Sequence, residues 1–199
     1  MSYAIIGFGK IGQALAKAFA RNGIEVSVAT TRDPESFAAD AAAIGPTIIS
    51  KTLAEAIKAD IVFLAVRFES HPDVAKALPS WEGKTIIDAT NVFPVPEELD
   101  GLPSSAFVAK AFTGAKLVKG FNHLIAATLA ADPIVEGGHR VVFLSGDDED
   151  AIAPVAALAR QLGFAPVKLG KLNEGGTLVH ARGRTWGQLI FQDLFKKEQ

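Results

Sequence analysis

The sequence predicts a doubly wound α/β fold, with a mostly parallel sheet and a small C-terminal extension. Two observations predict this class: short apolar runs alternate with longer helical patterns, and several of the runs are continuously apolar. Continuous apolarity, as in 61–66 and 141–144, is typical of parallel strands that helices cover on both faces. Because the connections are short, this alternation favours crossover units within one sheet.

The predicted elements follow one another as strand–helix pairs. Apolar runs predict strands at 3–7, 25–30, 46–49, 60–66, 84–88, 116–120, 140–145 and 166–169. Helical patterns follow at about 11–22, 34–43, 52–58, 72–78, 104–113, 123–131, 150–162 and 176–195. The first helix has Ile11, Leu15 and Phe19 on one face, and the Asn22-Gly23 pair ends it.

Length and composition indicate one domain and exclude several functional classes. The 199 residues suit a single domain, with a core part at about 1–135 and a strand–helix extension at about 136–199. A net charge of -2 offers no general attraction to nucleic acid. The absence of cysteine removes disulfides and thiolate metal sites, and fits a reducing, cytoplasmic compartment. No apolar stretch approaches the ~20 residues that span a bilayer, so no membrane insertion is expected.

Between the first strand and the first helix lies the glycine pattern G-x-G-x-x-G. Gly7 permits the tight turn out of the strand, Gly9 lets the backbone approach a pyrophosphate, and Gly12 lets the helix pack against the sheet. The helix N-terminus adds free backbone N–H groups and the positive end of its dipole. A glycine turn of purely structural use is the alternative, but the flanking elements favour a Rossmann dinucleotide site. Its predicted residues are Gly7, Phe8, Gly9, Lys10, Ile11 and Gly12.

The end of the second predicted strand indicates which dinucleotide is bound. NAD-specific proteins place an acidic side chain there for the ribose diol, whereas this chain has Thr30, Thr31 and Arg32. Arg pairs with a 2′-phosphate through two parallel hydrogen bonds, and Thr donates to it. We therefore predict NADP(H) as the cofactor. Asp33 and Glu35 stand close by, so NAD stays open, and Arg32 could also simply begin a surface turn.

Two further segments are predicted to follow the cofactor along the crevice. Ala65, Val66 and Arg67 end a buried strand, and the first two are small enough to let the nicotinamide half lie against the backbone. Asn91 follows the next strand, where its amide either holds the nicotinamide or forms an ordinary Asx turn. The irregular stretch 91–103 is either a linker or a lid, and we favour the lid because it begins at the crevice edge.

No side chain stands out as a catalytic acid or base. Among the four histidines, His123 follows a strand and is the best candidate to touch an electron acceptor, although a structural role is the simpler interpretation of each. The spacing of the histidines fits no metal site. The acidic run 146–150 precedes a predicted helix, so capping of that helix is favoured over cation binding.

Together these motifs resemble the deazaflavin-dependent NADP oxidoreductases and the related cytoplasmic reductase domain of transmembrane ferric reductases. The resemblance follows the chain in order over nearly its whole length, which makes it more specific than the glycines alone. The shared segments are Gly7–Gly12, Thr30–Arg32, Ile87–Asn91, Leu117–Asn122 and Ser145–Glu149.

The resemblance implies a compact Rossmann domain, usually in a homodimer, that binds NADPH at the carboxyl ends of the strands with a flavin-like ring against the nicotinamide. It implies that residues 30–32 hold the 2′-phosphate and that the backbone of residues 9–11 faces the pyrophosphate. Asn91 and Asn122 would lie by the nicotinamide or the acceptor. Two positions of this sequence depart from the family: Phe8 stands where some members have a small polar residue, and His123 stands where a Thr is commoner.

Three functional hypotheses follow. The leading one is hydride transfer between NADP(H) and a small-molecule electron acceptor, a flavin or deazaflavin, because such acceptors need little acid–base chemistry from the protein. The second is an NADPH-dependent reductase of a small carbonyl or imine, which would need a proton donor, with His123 as the candidate. The third is a non-enzymatic module that senses NADPH or binds a partner.

Overall fold

The computed structural model describes residues 1–92 and 99–180, together with the backbone of 194–195. Six parallel strands form the main sheet in the order β3-β2-β1-β4-β5-β6, the doubly wound arrangement of a Rossmann fold. They are β1 (Tyr3–Ile6), β2 (Val26–Ala29), β3 (Ile48–Ser50), β4 (Ile61–Leu64), β5 (Thr85–Asp88) and β6 (Lys116–Gly120). The strand order reverses between β1 and β4, and a crevice opens there beyond the carboxyl ends.

Helices cover both faces of this sheet. They are α1 (Lys10–Arg21), α2 (Glu35–Ile44), α3 (Leu53–Ala56), α4 (His71–Ala75), α5 (Ser104–Ala111), α6 (Ala126–Ala130), α7 (Glu149–Gln161) and α8 (Gly175–Leu178). The two-sided burial is clearest in β4, where Ile61 and Phe63 join one hydrophobic cluster and Val62 and Leu64 join the other. Both clusters are therefore built from the same continuously apolar strands, because successive side chains point to opposite faces.

The C-terminal part extends the sheet with antiparallel pairing. The long strand β8 (Gly138–Gly146) runs antiparallel to β6, and β9 (Ala165–Lys168) runs parallel to β8. Two short strands, β7 (Ile134–Val135) and β10 (Leu194–Phe195), pair antiparallel with the first residues of β8. Helix α7 packs on β8 and β9, and its apolar residues belong to the same cluster as Phe63.

The predicted fold class is confirmed, and each of the eight predicted strands is present with ends that differ by at most two residues. The predicted helix at 176–195 is wrong: α8 ends at Leu178, and Leu194–Phe195 form a strand. Pairing with the open edge of β8 gives these two residues backbone partners, and tertiary pairing of this kind overrides a local helical pattern. Residues 93–98 of the predicted lid lie outside the described residues, and the boundary near 135 stays a prediction.

Among the helices within the described ranges, none combines the length and the apolarity needed to cross a bilayer.

Asp148 joins the extension to the main sheet and also caps α7. Its Oδ1 accepts hydrogen bonds from the backbone N–H groups of Asp150 and Ala151, at 2.8 and 3.3 Å. Its Oδ2 lies 2.8 Å from Lys116 Nζ, and this hydrogen bond is the main reason that the pKa of Asp148 is held below its usual value. The acidic run that contains Asp148 thus caps a helix, as its position before α7 predicts.

We expect Asp148→Asn to lower Tm at neutral pH, because the variant keeps a capping side chain but loses the charge that pairs with Lys116. A lowered folded-state pKa means that the stabilisation exists above the unfolded pKa and is lost as pH falls through the folded one. The difference in Tm between wild type and variant should therefore shrink below about pH 4, the ordinary carboxyl range. Asp150→Asn is the control, since Asp150 shares the first turn of α7 and, among the described residues, its carboxylate forms no hydrogen bond or ion pair. An equal loss at every pH would contradict the pairing.

Candidate functional site

Two adjoining cavities of about 410 and 260 Å³ lie at the carboxyl ends of the parallel strands. They share Gly9 and 65–67, so they form one groove. One end of the groove reaches Thr30 and Thr31 after β2, and the other reaches 89–91 after β5. We call this groove the crevice. Cavities of about 510 and 560 Å³ lie elsewhere, around His139 and around Leu172, but neither touches the glycine turn.

Two of the three motif glycines are required by the packing of the protein itself. Gly7 has a φ of +103°, and a Cβ on it would lie 2.4 Å from the carbonyl oxygen of Ala65. A Cβ on Gly12 would lie 1.9 Å from the carbonyl oxygen of Gly7, so only glycine lets α1 approach the turn this closely. These contacts agree with the predicted roles of Gly7 in the turn and Gly12 in helix packing.

Gly9 differs because the fold does not need a glycine there. Its backbone is extended, with φ -78° and ψ -165°, and a Cβ would meet nothing within 4 Å. Gly9 is exposed and lines both halves of the crevice. Space beside a backbone that no protein atom fills is what a closely bound pyrophosphate requires.

The N-terminus of α1 is open toward the crevice. Gly9 occupies the capping position and brings no side-chain hydrogen bond, and the first turn holds no acidic residue. By contrast, Asp148 caps α7, and Thr52 and Glu55 form a capping box on α3. The first N–H groups of α1 have no intrahelical acceptor, so this end fits an anionic ligand.

Beyond β2, Arg32 is held in place by an aromatic stack. Its backbone N–H donates to Thr30 Oγ1 at 3.0 Å, and its guanidinium carbon lies 5.6 Å from the centre of the Phe37 ring. Phe37 is fully buried and lies 5.6 Å from the ring of Phe8. Phe8 therefore supports Arg32 through Phe37, which gives the large residue at this position a structural role.

Arg32, just beyond the end of β2, is exposed and available to a ligand. Thr31 and Arg32 are exposed, and Thr30 is half-buried. Arg32 forms no ion pair with Asp33 or Glu35, which both belong to the described part of the chain. The positive group at this end of the crevice is thus not neutralised by its acidic neighbours.

The segment after β4 forms the middle wall of the crevice. The N–H of Ala65 donates to the carbonyl of Ile6 at 2.8 Å, which extends the ladder between β1 and β4 by one residue. Ala65 and Val66 are half-buried, whereas Arg67 is exposed, and all three line both cavities. The predicted segment therefore lies opposite Gly9.

The two asparagines bind each other across the ends of β5 and β6. Asn91 Nδ2 donates to the backbone carbonyl of Asn122 at 2.8 Å, and Asn122 Nδ2 donates to Asn91 Oδ1 at 3.1 Å. Asn122 Nδ2 also donates to the carbonyl of Val179 at 3.0 Å. Asn91 lines the crevice, whereas Asn122 is buried behind it.

His123 is buried, with 1% of its surface exposed. Its ring packs edge-on against Phe143, with 4.8 Å between the two ring centres. Phe121, two residues before His123, adopts a φ of +62°, and this left-handed residue turns the chain sharply out of β6. The strand end therefore directs His123 into the protein interior, and the ring does not line either half of the crevice. Among the described residues, no group of three His, Asp or Glu side chains could hold a metal ion.

One feature that the motifs did not indicate is a buried ion pair beneath the crevice. Lys119 Nζ lies 3.1 Å from Asp88 Oδ2, and both side chains are almost wholly inaccessible to solvent. The signal in the sequence is a charged residue directly after two buried apolar residues in each strand: Asp88 follows 86–87, and Lys119 follows 117–118. Charged side chains in such strands are rarely buried unless they are paired.

The first half of the chain matches the profile of a known family, "NADP oxidoreductase coenzyme F420-dependent", over residues 2–92. A crystallised protein of unassigned function from Sinorhizobium meliloti, SMa0349, superposes with a TM-score of 0.84 at 41% identity, with 89% of this chain and 88% of that chain covered. Over residues 2–92 the chain is therefore similar to this family of NADP oxidoreductases. The predicted resemblance to deazaflavin-dependent enzymes is thereby confirmed.

Two further proteins are similar to this chain. A candidate F420-dependent NADP reductase from an Arthrobacter species superposes over 100% of both chains, with a TM-score of 0.70 and 26% identity. Metalloreductase STEAP3 of Rattus norvegicus is 30% identical over 172 residues, which make up 84% of this chain but 33% of the metalloreductase. The chain thus spans about a third of the length of that curated relative.

Gly9→Ala and Gly12→Ala should have opposite consequences. The first places a methyl group in open space, so the Tm should stay close to wild type while the Kd for NADPH rises by about tenfold or more, because the methyl occupies space for the pyrophosphate. The second forces a methyl group against the Gly7 carbonyl and should lower the Tm strongly. Thermal unfolding and calorimetric titration check both effects. Undiminished NADPH binding by a folded Gly9→Ala variant would contradict the assigned role.

Proposed function

We propose that the crevice binds NADP(H) and that the protein transfers hydride between this cofactor and a flavin, a deazaflavin or a similar small-molecule acceptor. The observation that carries the proposal is the glycine turn, in which Gly9 leaves unfilled space beside the open end of α1. From there the groove continues to Thr30 and Thr31, which adjoin the unpaired Arg32, on one side and to Asn91 on the other.

Three parts of the crevice would each bind a different part of NADP(H). The backbone of 9–11 would bind the pyrophosphate, since these residues form the uncapped start of α1. Thr30, Thr31 and Arg32 would bind the 2′-phosphate, because they supply two hydroxyls and an unpaired guanidinium. The nicotinamide half would lie along 65–67 and beside Asn91, whose carboxamide is oriented by its hydrogen bonds to Asn122.

NADPH supplies the hydride, so the protein's task is to hold the nicotinamide face next to an acceptor and keep water away. Ala65 and Val66 provide a small, half-buried surface for this purpose. Gly7 keeps the chain close to that surface. None of these residues donates or removes a proton, which suits an acceptor that brings its own chemistry.

Burial of His123 weighs against the carbonyl or imine alternative. Such a substrate needs a proton at its oxygen or nitrogen, and His123 was the candidate donor. Its ring is 1% exposed and packs on Phe143, so it does not face the crevice. Flavin-type acceptors do not place this demand on the protein, and we favour them.

The proposal also includes a homodimer that works in the cytoplasm. The support is the family resemblance for the dimer and the cysteine-free sequence for a reducing compartment. Size-exclusion chromatography with light scattering tests the dimer.

Replacement of Arg32 tests the choice of NADP over NAD. Arg32→Ala should weaken NADPH binding by about 1.5–3 kcal/mol, the range for a hydrogen bond to a charged group, and leave NADH binding nearly unchanged. Calorimetric titration with each cofactor measures the difference. Arg160→Ala, an exposed change on α7, is the matched control and should bind both cofactors like wild type. Equal losses for NADPH and NADH would rule out the phosphate role.

A panel of acceptors tests the reaction itself. NADPH oxidation would be followed with FMN, FAD, a deazaflavin, ferric chelates, quinones and a cyclic imine. We expect turnover with a flavin or deazaflavin, and the same kcat in His123→Ala if that variant folds. A ferric chelate should be reduced only when a flavin is also present, because a ferric ion accepts one electron and not a hydride. Turnover confined to the imine, or NADPH that is bound but never oxidised by any acceptor, would support one of the alternatives instead.

A further inference from the structure

The ion pair beneath the crevice holds one residue from several sides. Asp88 Oδ1 accepts hydrogen bonds from the backbone N–H of Thr90 at 3.0 Å and from its hydroxyl at 2.7 Å. Lys119 Nζ donates to the backbone carbonyl of the same Thr90. All the polar groups of Thr90 are therefore bound by the two charged side chains.

The carboxylate of the ion pair is also fully hydrogen-bonded. Asp88 Oδ2 accepts from Lys119 Nζ at 3.1 Å and from Ser105 Oγ at 3.0 Å. Asp88 and Lys119 are direct neighbours in the register of β5 and β6, so the sheet fixes their separation. Both oxygens of the carboxylate thus have two donors each, as a buried charge requires.

The residue that the pair holds is part of the crevice wall. Ala89, Thr90 and Asn91 line the half of the crevice that also includes Lys10 and Ile11 at the start of α1. Thr90 itself is only 2% exposed, and its backbone carries the neighbouring Asn91. A shift of Thr90 would therefore change the position of Asn91 relative to the N-terminus of α1, which borders the same half of the crevice.

Stability alone is a weak explanation for such a pair. Desolvation of two buried charges offsets most of their attraction, and well-packed apolar residues of similar size are often as stable or more so. An ion pair differs from an apolar pair in that it imposes direction. Here the directed hydrogen bonds of the pair hold the backbone of 89–91, the segment after β5 that lines the crevice.

We propose that Asp88 and Lys119 are positioning residues, which hold 89–91 in the shape that receives the nicotinamide half of NADP(H). The inference rests on the proposed function of the crevice. The pair touches neither cofactor nor acceptor and acts through Thr90 and Asn91. The adenosine half, at the ends of β1 and β2, does not depend on it.

The double variant Asp88→Asn/Lys119→Met tests this role, because it removes both charges together and leaves no buried charge unpaired. We expect the Kd for NADPH to rise about tenfold, equivalent to ~1.4 kcal/mol, and the fluorescence gain of bound nicotinamide to fall. The Kd for adenosine 2′,5′-bisphosphate should change by less than about twofold, since that ligand lacks the nicotinamide half. Ser105→Ala is the matched control: it removes a hydrogen bond from the same carboxylate without touching Thr90, so both Kd values should stay at the wild-type level.

The outcomes separate this proposal from the one on which it rests. Wild-type protein that binds no NADPH overturns both. Wild-type binding with an unaffected double variant, or a double variant that weakens both ligands equally, overturns the positioning role alone. If the double variant does not fold, hydrogen exchange in the wild-type protein decides: the Thr90 amide should be strongly protected before NADPH is added, and rapid exchange there would overturn the proposal.

Discussion

Close contact between Gly12 and the carbonyl of Gly7 sets the geometry on which the crevice depends. Helix α1 can start immediately beyond β1 only because no side chain separates the helix from the turn. The same turn presses Gly7 against Ala65, so the ends of β1 and β4 stay together at the point where strand order reverses. The open N-terminus of α1 is thereby placed over the crevice, and Gly9 lies between the helix and the free space.

Support for the cofactor-facing residues comes from layers behind them. Phe8 and Phe37 lie beneath the guanidinium of Arg32 at one end, and Asp88 and Lys119 hold Thr90 at the other. In both cases a buried group acts on a cofactor-facing residue through one other residue. Phe8 acts on Arg32 through Phe37, and the ion pair acts on Asn91 through Thr90. Such an arrangement favours a crevice that is shaped before the cofactor arrives, which reduces the ordering that binding requires.

Features that depend on local chemistry could be predicted from the sequence, and features that depend on distant pairing could not. Continuous apolar runs indicated the buried strands, and glycine spacing indicated the turn, because both signals act over a few residues. The strand at Leu194–Phe195 depends on the edge of β8, more than fifty residues earlier, and the helical pattern around it gave no sign of this. The direction in which His123 leaves β6 depends on the left-handed backbone of Phe121. A phenylalanine in the sequence does not predict this conformation.

The most direct test of the central claim is a two-dimensional NMR titration of the wild-type protein with NADPH. The largest backbone amide shifts should fall at Gly9, Lys10 and Ile11, at the end of β2 from Thr30 to Arg32, and at Asn91. The same titration with NADH should leave the amides of Thr31 and Arg32 little changed. Shifts confined to the separate cavity around His139 and Arg160, or no shifts with NADPH, would contradict the account.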